Sequence, residues 1–569
     1  MFEHISPGNR LHAIPPSAVA MAAGSFWWDR IEAGRAAIPA LFARIEEQGG
    51  VDNFRRLAGT TAERRGLWFT DSDLFKVMEA AAWALQSRDD PALRKQLGDI
   101  SAAVVAAQNQ DGYLNTYITG ERYKDLDWSH ELYCAGHFLE AAVAHHRATG
   151  EQTLLDAAKR LADHLSGEFG PGRREQTDGH PEIELALANL YRATGEPRYL
   201  DLARFFLSRV DHGSLPRLTG HAVRALYYSC GLTDLVAEGD DGIRETLDRF
   251  WTSLTESGSY ITGGIGGRWA GESIGRPYEL PNEGAYAETC GSAAAVMWSW
   301  RMLALDGDAR FTDFGERALL NGFLAGVSHA GDEWFYVNRL AWWGEDEVDP
   351  WGLGMQQFMT DMITSARRKP WYDVTCCPSN AVRLLASLPS RIYGASPDGI
   401  WVHLYAASTL RWRTPAGRPL TLTQHTDYPW DLSTEIQLDL EAPEEFSLHV
   451  RIPGWSSSST SVYVNGDEVG DVAAGAYLEI RRTWSSRDEV SVELDTRPLY
   501  AEANPRLTEN RGSVAITRGP LVYCLEGVDN PGVDVFGVTV DPAEGLMWSH
   551  RKDLLGGVTV VSGRGTVPS

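Results

Sequence analysis

Two stretches, AGHFLEAAVAHHRATGEQTLLDAAKRLADHL (residues 135–165) and DGHPEIELALANLYRATGEPRYLDLARFFL (residues 178–207), carry the same parts in the same order. Each reads as a helical hairpin. A Gly-His step opens the first helix, apolar residues recur at spacings of three and four, RATGE makes the turn, and a second amphipathic helix follows. Related pieces begin at Thr219 (TGHAVRALYYSC) and Cys290 (CGSAAAVMWSWRMLALDGDARFTDFGERALLNGFL), with an earlier one at Phe75 (FKVMEAAAWALQSRDD). Repeats of about 40 residues form either an open solenoid or a ring. The expectation is a closed (α/α)6 toroid over residues 21–395, because the same hairpin end carries His137, His180 and His221, which closure would gather at one mouth.

Beyond about Pro397 the period changes to two. LTLTQHTDYPW, TEIQLDLEA, FSLHVRIPGW, TSVYVNGDEV, AYLEIRRTW and EVSVELDT alternate apolar and polar residues between turn signals such as Asn465-Gly466. Residues 396–569 are therefore expected to form a β-sandwich region, as one sandwich or two small ones, with residues 1–20 packing beside it.

With 77 acidic against 52 basic residues, the formal charge of −25 disfavours nucleic acid and anionic lipid as partners and leaves neutral substrates. No apolar run reaches the length of a membrane span, and the opening MFEHISPGNRLHAIPP has no basic and apolar leader pattern, so a soluble, cytoplasmic protein is expected. A homodimer through the sandwich region is an open expectation. Six cysteines in 569 residues are too few for a disulfide scaffold.

Three of the six lie in Glu288-Thr289-Cys290 and Cys376-Cys377-Pro378, each at the start of an apolar helical pattern. One carboxylate and three thiolates suit a tetrahedral Zn²⁺, which binds both donor types at about 2.0–2.3 Å. Pro378 suits the first position of the helix PSNAVRLLASL, which puts both thiols where the helix dipole favours thiolates. Two plainer readings stay open on this pattern: a closed structural zinc site, and a buried thiol pair without metal. The preceding YITGGIGGRWAGESIGRPYELPNEGAYAETC brings Glu272 ahead of the cluster in a Gly-rich loop, where it suits general acid and base work. Neutral imidazoles at His137, His180 and His221 would offer donors and acceptors to the hydroxyls of a sugar. Among 20 tryptophans and 20 tyrosines, mostly core, Tyr336, Trp371 and Tyr372 are singled out by their position near the cluster.

GGIGGRWAGE, YELPNEGAYAETC, TCCPSNAVR, DGYLNTY and HELYCAGH together resemble glycoside hydrolase family 127, the bacterial β-L-arabinofuranosidase family, and the resemblance continues into FSLHVRIPGW and TRGPLVYCLE. It implies a retaining exo-glycosidase releasing β-L-arabinofuranose, or a related furanosyl unit, from the non-reducing ends of an oligosaccharide or glycoside. It further implies Cys376 as nucleophile, Glu272 as acid/base, Glu288, Cys290, Cys376 and Cys377 as ligands of one Zn²⁺ per chain, and Tyr336 as a sugar contact near the thiolate. The histidines carry over less directly, since HELYCAGH offers His130 as well as His137. Two rival classes are a non-catalytic sugar-binding protein with a structural zinc, and another toroid enzyme, such as a histidine-dependent sugar epimerase or a hydrolase using paired aspartates.

Overall fold

Glycine and proline punctuation sets the helical half. The helices Glu131–Thr149, Ile183–Thr194 and Thr289–Asp306 end on Gly150, Gly195 and Gly307, with φ of 75°, 73° and 68°. These are left-handed positions that glycine occupies without a Cβ clash. Pro91 and Pro197 open the helices that follow two turns, where a missing N–H leaves no bond unmade. The computed structural model describes residues 5–61, 63–343, 367–457 and 459–568.

Among the described residues, twelve helices have nine residues or more: α1 Phe26–Glu47, α2 Thr70–Ser87, α3 Pro91–Ala107, α4 Glu131–Thr149, α5 Thr153–Glu168, α6 Ile183–Thr194, α7 Pro197–Leu207, α8 Ala222–Ala237, α9 Arg244–Ser257, α10 Thr289–Asp306, α11 Ala309–Arg317 and α12 Cys376–Ser387. The even-numbered helices form a closed inner ring. α2 packs on α4, α4 on α6, α6 on α8, α8 on α10, α10 on α12, and α12 returns to α2. The odd-numbered helices lie outside, each against its inner neighbours. The division follows from the sequence, because α2, α4 and α10 are buried on almost all sides while α5 and α7 bury one stripe. This is an (α/α)6 toroid, and the N-termini of its inner helices point to one end. No helix among the described residues is long and apolar enough to cross a membrane.

The β region begins at Tyr393, directly after the short helical turn that follows α12. One sheet has five strands, in the order β1 (His12–Ala13), β5 (Tyr393–Ser396), β6 (Gly399–Val402), β10 (Glu444–Ile452) and β13 (Ala476–Trp484). The other has seven, running from Asp467–Glu468 through Ser408–Arg413 to β2 (Val19–Met21). Thus the N-terminal segment supplies one edge strand to each sheet. Alternation buries Ile400, Val402, Leu448 and Val450 from one sheet and Leu422, Ile436, Leu438, Val490 and Val492 from the other. Residues 498–562 add a three-stranded sheet and a hairpin.

Sandwich and toroid are joined by charge. Arg451 of β10, with no solvent exposure, pairs with Asp313 at 2.8 Å and Glu316 at 2.7 Å on α11, and Tyr428 Oη donates to Glu316 at 2.7 Å. Arg451→Met would leave both carboxylates without their cation, with the Tyr428 hydroxyl donating to Glu316 and the Gly454 N–H to Asp313. The variant is expected to lose about 3–5 kcal/mol of stability, read as a lower midpoint in guanidinium unfolding followed by tryptophan fluorescence; an unchanged midpoint would show that the pair does not hold the two parts together.

Candidate active site

Two neighbouring inner helices start at the same place. Glu288 precedes the first turn of α10 and Cys290 is its second residue, while Cys376 and Cys377 open α12. The helix therefore begins at Cys376 rather than at Pro378, which stands third, where its missing N–H is still harmless. The four side chains offer ligand atoms that all lie within 4.8 Å of one another. Cys290 Sγ is 3.4 Å from Cys377 Sγ, Cys376 Sγ is 4.0 Å from Cys377 Sγ, and Glu288 Oε1 is 3.4 Å from Cys376 Sγ and 3.8 Å from Cys377 Sγ. A tetrahedral ion with bonds of about 2.3 Å to sulfur and about 2.0–2.2 Å to oxygen requires edges of about 3.8 Å between sulfurs and about 3.5 Å between sulfur and oxygen. The observed edges, 3.4 and 4.0 Å between sulfurs and 3.4 and 3.8 Å between sulfur and oxygen, lie within about 0.4 Å of both.

The electrostatics agree. Burial pushes the Glu288 carboxyl and the Cys290 and Cys377 thiols up, towards their neutral forms. Cys376 is the exception: the Cys290 and Cys377 thiols donate to it and, against its burial, the Lys76 ammonium and Tyr336 hydroxyl add to them, holding it well below the ordinary thiol range. Only a bound cation would let all four donors ionise together. Solvent reaches the cluster unevenly, since Glu288, Cys290 and Cys377 are at most 2% exposed while Cys376 is partly open.

Glu272 arrives on a separate support. A two-stranded ribbon pairs Gly220–His221 with Ser273–Ile274, and Glu272, just before it, takes a left-handed φ of 50° beside Gly271. Its Oε2 lies 3.1 Å from His221 Nε2, and both side chains are partly exposed. Burial pushes the Glu272 carboxyl up, but the hydrogen bond and charge of His221 and the Tyr286 hydroxyl outweigh it, leaving the group below its ordinary value. Tyr286 Oη is also 3.5 Å from Glu288 Oε2, so one phenol sits between the two carboxyls.

The histidine row differs from the expected one. His180 lies 5.8 Å from His221 between ring centroids, and His130 lies 5.7 Å from His180. His137 does not open a helix: α4 starts at Glu131, so His137 sits about 9 Å further along the axis at 1.5 Å per residue. It is fully buried against Tyr133, with Nδ1 3.0 Å from the equally buried Glu182. The Gly136-His137 step serves packing instead, because a Cβ at Gly136 would come within 2.8 Å of the Glu182–Ile183 backbone. Burial pushes His130 down to about 4 and His180 well below the ordinary imidazole range, so both stay neutral donors and acceptors.

Tyr336 Oη is 3.5 Å from Cys376 Sγ, and the Tyr336 carbonyl accepts from the Thr289 N–H at 3.0 Å. Tyr372 donates to the Trp334 carbonyl at 2.7 Å as a core strut, and Trp371 is half-buried beside it. Sequence reasoning missed the groups underneath. Lys76, 1% exposed, pairs with Asp73 at 3.1 Å, and Thr375 donates to Asp73 at 2.8 Å just before the cysteine pair. Asn380 Nδ2 donates to Cys290 Sγ at 3.1 Å, while Asn380 Oδ1 accepts at 2.7 Å from Arg383, which pairs with Glu79 at 3.0 Å. The available signal was Lys76 and Glu79 standing inside FKVMEAAAWAL, an otherwise apolar helix.

Comparison with known proteins fits this geometry. Residues 18–390 match the family model described as β-L-arabinofuranosidase, GH127 catalytic domain, residues 399–496 the GH127 middle domain, and residues 498–557 the glycoside hydrolase family 127 C-terminal domain. A non-reducing end β-L-arabinofuranosidase of Bifidobacterium longum subsp. longum is 36% identical, over 90% of this chain and 84% of the relative. The crystal structure of a GH127 β-L-arabinofuranosidase from Geobacillus stearothermophilus T6 superposes with a TM-score of 0.90 at 35% identity, covering 96% of this chain and 92% of that one. A GH127 β-arabinofuranosidase structure gives the same TM-score at 32% identity, over 98% and 92% of the two chains.

At the four-donor site, Co²⁺ is expected to give the intense near-ultraviolet sulfur-to-cobalt absorption of a thiolate complex. Cys290→Ser should lose that band and melt earlier, because metal affinity there is also folding energy. A Co²⁺ protein without the band would rule the thiols out as ligands.

Proposed function

The chain belongs to glycoside hydrolase family 127, and on that premise we propose that it is a retaining exo-glycosidase that releases β-L-arabinofuranose from non-reducing ends, with Cys376 as nucleophile and Glu272 as acid/base. The observation that carries the assignment is the uneven exposure of the cluster: Cys376 alone of the four donors is reached by solvent, and its charge is felt by Glu272, whereas a purely structural site would close over all four.

Glu288, Cys290, Cys376 and Cys377 would hold a Zn²⁺, whose charge, when bound, keeps the thiols ionised. The chain's own groups do the rest. His130, His180 and His221 bind the sugar hydroxyls, and the Tyr336 hydroxyl orients the thiolate. Glu272 gives its proton to the glycosidic oxygen as Cys376 Sγ bonds to the anomeric carbon, and the carbon–oxygen bond breaks to release the aglycone as an alcohol. Glu272, now a carboxylate, takes a proton from water, the water oxygen bonds to the anomeric carbon, and the thiolate leaves. Two displacements on one carbon restore its configuration. The carboxylate nucleophile of ordinary retaining glycosidases is replaced by a thiolate poised at helix N-termini beside Lys76.

Purified protein is expected to release p-nitrophenol from the β-L-arabinofuranoside and not from the corresponding pyranosides. Cys376→Ser should abolish turnover, and Glu272→Gln should lower kcat by about 10²–10⁴, the usual worth of a general acid, with melting temperature and zinc content measured on each sample. Wild-type rates in Cys376→Ser would overturn the mechanism. The pH profile supplies a second check. In the free enzyme the acid must be protonated, so activity falls as pH rises through the Glu272 value. His221 helps depress that value; His221→Asn should therefore move the alkaline limb of kcat/KM to higher pH, and an unmoved limb would exclude Glu272 as the acid.

A further inference from the structure

Far from the cysteine cluster, the five-stranded sheet carries a second group of ligand atoms. His449 of β10 stands directly opposite Glu479 of β13, and Trp401 of β6 is its partner on the other side. The indole and imidazole stack at 3.9 Å with 13° between their planes, which fixes the imidazole plane. Asp398 lies in the β5–β6 turn, and its carbonyl accepts from the Ser447 N–H at 2.9 Å, tying that turn to β10. One ligand atom each from Asp398, His449 and Glu479 lie within 4.8 Å of one another.

The hydrogen bonding is incomplete in a particular way. Ser396 donates to Asp398 Oδ1, and Ser447 Oγ donates to Glu479 Oε1 at 2.6 Å. Each hydroxyl steadies one carboxylate oxygen, and the other oxygen of Asp398 faces His449. His449 Nε2, on a side chain only 4% exposed, makes no well-aligned hydrogen bond; its contact is a long one, 3.4 Å to Asp398 Oδ2. A buried ring nitrogen left with one long, poorly aligned contact is incompletely satisfied. An edge of 3.4 Å is also what two ligands of one ion span when their bonds are about 2.0–2.2 Å.

From this placement we propose a second metal site, in which Asp398, His449 and Glu479 hold a divalent transition-metal ion of the Zn²⁺ type on the sandwich. One imidazole nitrogen and two carboxylates make a mixed donor set, with the remaining coordination left to water. Of the neighbouring cations, Arg10 lies 5.0 Å over the Trp401 ring with its guanidinium held by the Asp306 carbonyl, and Arg481, two residues along from Glu479, is paired with Glu445. The ion would clamp the β5–β6 turn, β10 and β13 to one another. The neighbouring toroid turn touches the same place, since a Cβ at Gly307 would lie 3.1 Å from the Trp401 ring. The clamp thus steadies the sheet that also presents Arg451 to Asp313 and Glu316.

The test is a metal count on the full-length protein after equilibration with Zn²⁺ alone and gel filtration. Wild type should carry two zinc ions per chain, while Asp398→Asn and Glu479→Gln, both at exposed positions, should carry one and retain full activity on whatever glycoside the wild type cleaves. Cys290→Ser should also keep one, which separates the two sites. Under Co²⁺, the site should add weak visible bands without sulfur-to-cobalt absorption, lost in Glu479→Gln. Added Zn²⁺ should raise the melting temperature of Cys290→Ser and not of the Cys290→Ser, Glu479→Gln double variant. One zinc per chain in the wild type, or two in both Asp398→Asn and Glu479→Gln, would overturn the site, and neither result touches the assignment of Cys376.

Discussion

Four acidic donors crowded within 4.8 Å inside a protein interior can ionise together only around a cation, and much of this architecture answers that constraint. The cluster requires the N-termini of α10 and α12 to meet although Cys290 and Cys377 are 87 residues apart in the chain. The toroid satisfies this by making the two helices neighbours in one ring with their positive ends together. Closure of α12 onto α2 then brings Lys76 and Asp73 beneath the cysteine pair. Beyond them Glu79, Arg383 and Asn380 pass hydrogen bonds from α2 to Cys290. Such outer partners fix the orientation of a ligand, which its own side-chain torsions would leave free.

The hairpins were legible because their punctuation is local. Gly150, Gly195, Pro91 and Pro197 act through backbone geometry within a turn, and the three-and-four spacing reports burial of a helix face. Closure is a different matter, for an open solenoid has the same local pattern. What closes the ring is contact between α2 and α12, illustrated by Glu79 and Arg383, 304 positions apart. The sandwich strands were equally readable from their alternation. The edge strands β1 and β2, of two and three residues, carry no period of their own and exist because a sheet edge lies beside them.

Within the site, the cysteines and Glu288 were legible because thiols adjacent in sequence at a helix start are chemically unusual. The histidines were harder. Gly-His recurs at residues 136–137, 179–180 and 220–221, but the first step lies inside a helix and the others precede one, so similar words hold different structural positions. Gly136 is set by the close approach of Glu182, a contact between neighbouring hairpins that no window along one hairpin displays. The start of α12 was misplaced for a related reason. Proline is tolerated through the whole first turn, so Pro378 marks a helix beginning without fixing which residue begins it.

The proposed nucleophile and the proposed acid rest on different kinds of support. Cys376 belongs to the ring, where the first turn of α12, Lys76 and the neighbouring thiols all favour its anionic form and no element can shift without disturbing its neighbours. Glu272 belongs to an insertion between α9 and α10, held in a left-handed conformation by the short ribbon to His221, at a backbone cost on the order of 1 kcal/mol. That strain persists because the ribbon and the His221 contact over-determine the turn. In the proposed reaction the division has a chemical logic: the thiolate must meet one atom, the anomeric carbon, whatever the aglycone, whereas the acid must reach a leaving oxygen whose position depends on the linkage. A rigid ring carrying the first and a replaceable loop carrying the second would let the fold change the linkage it cleaves without rebuilding the cluster that makes its nucleophile.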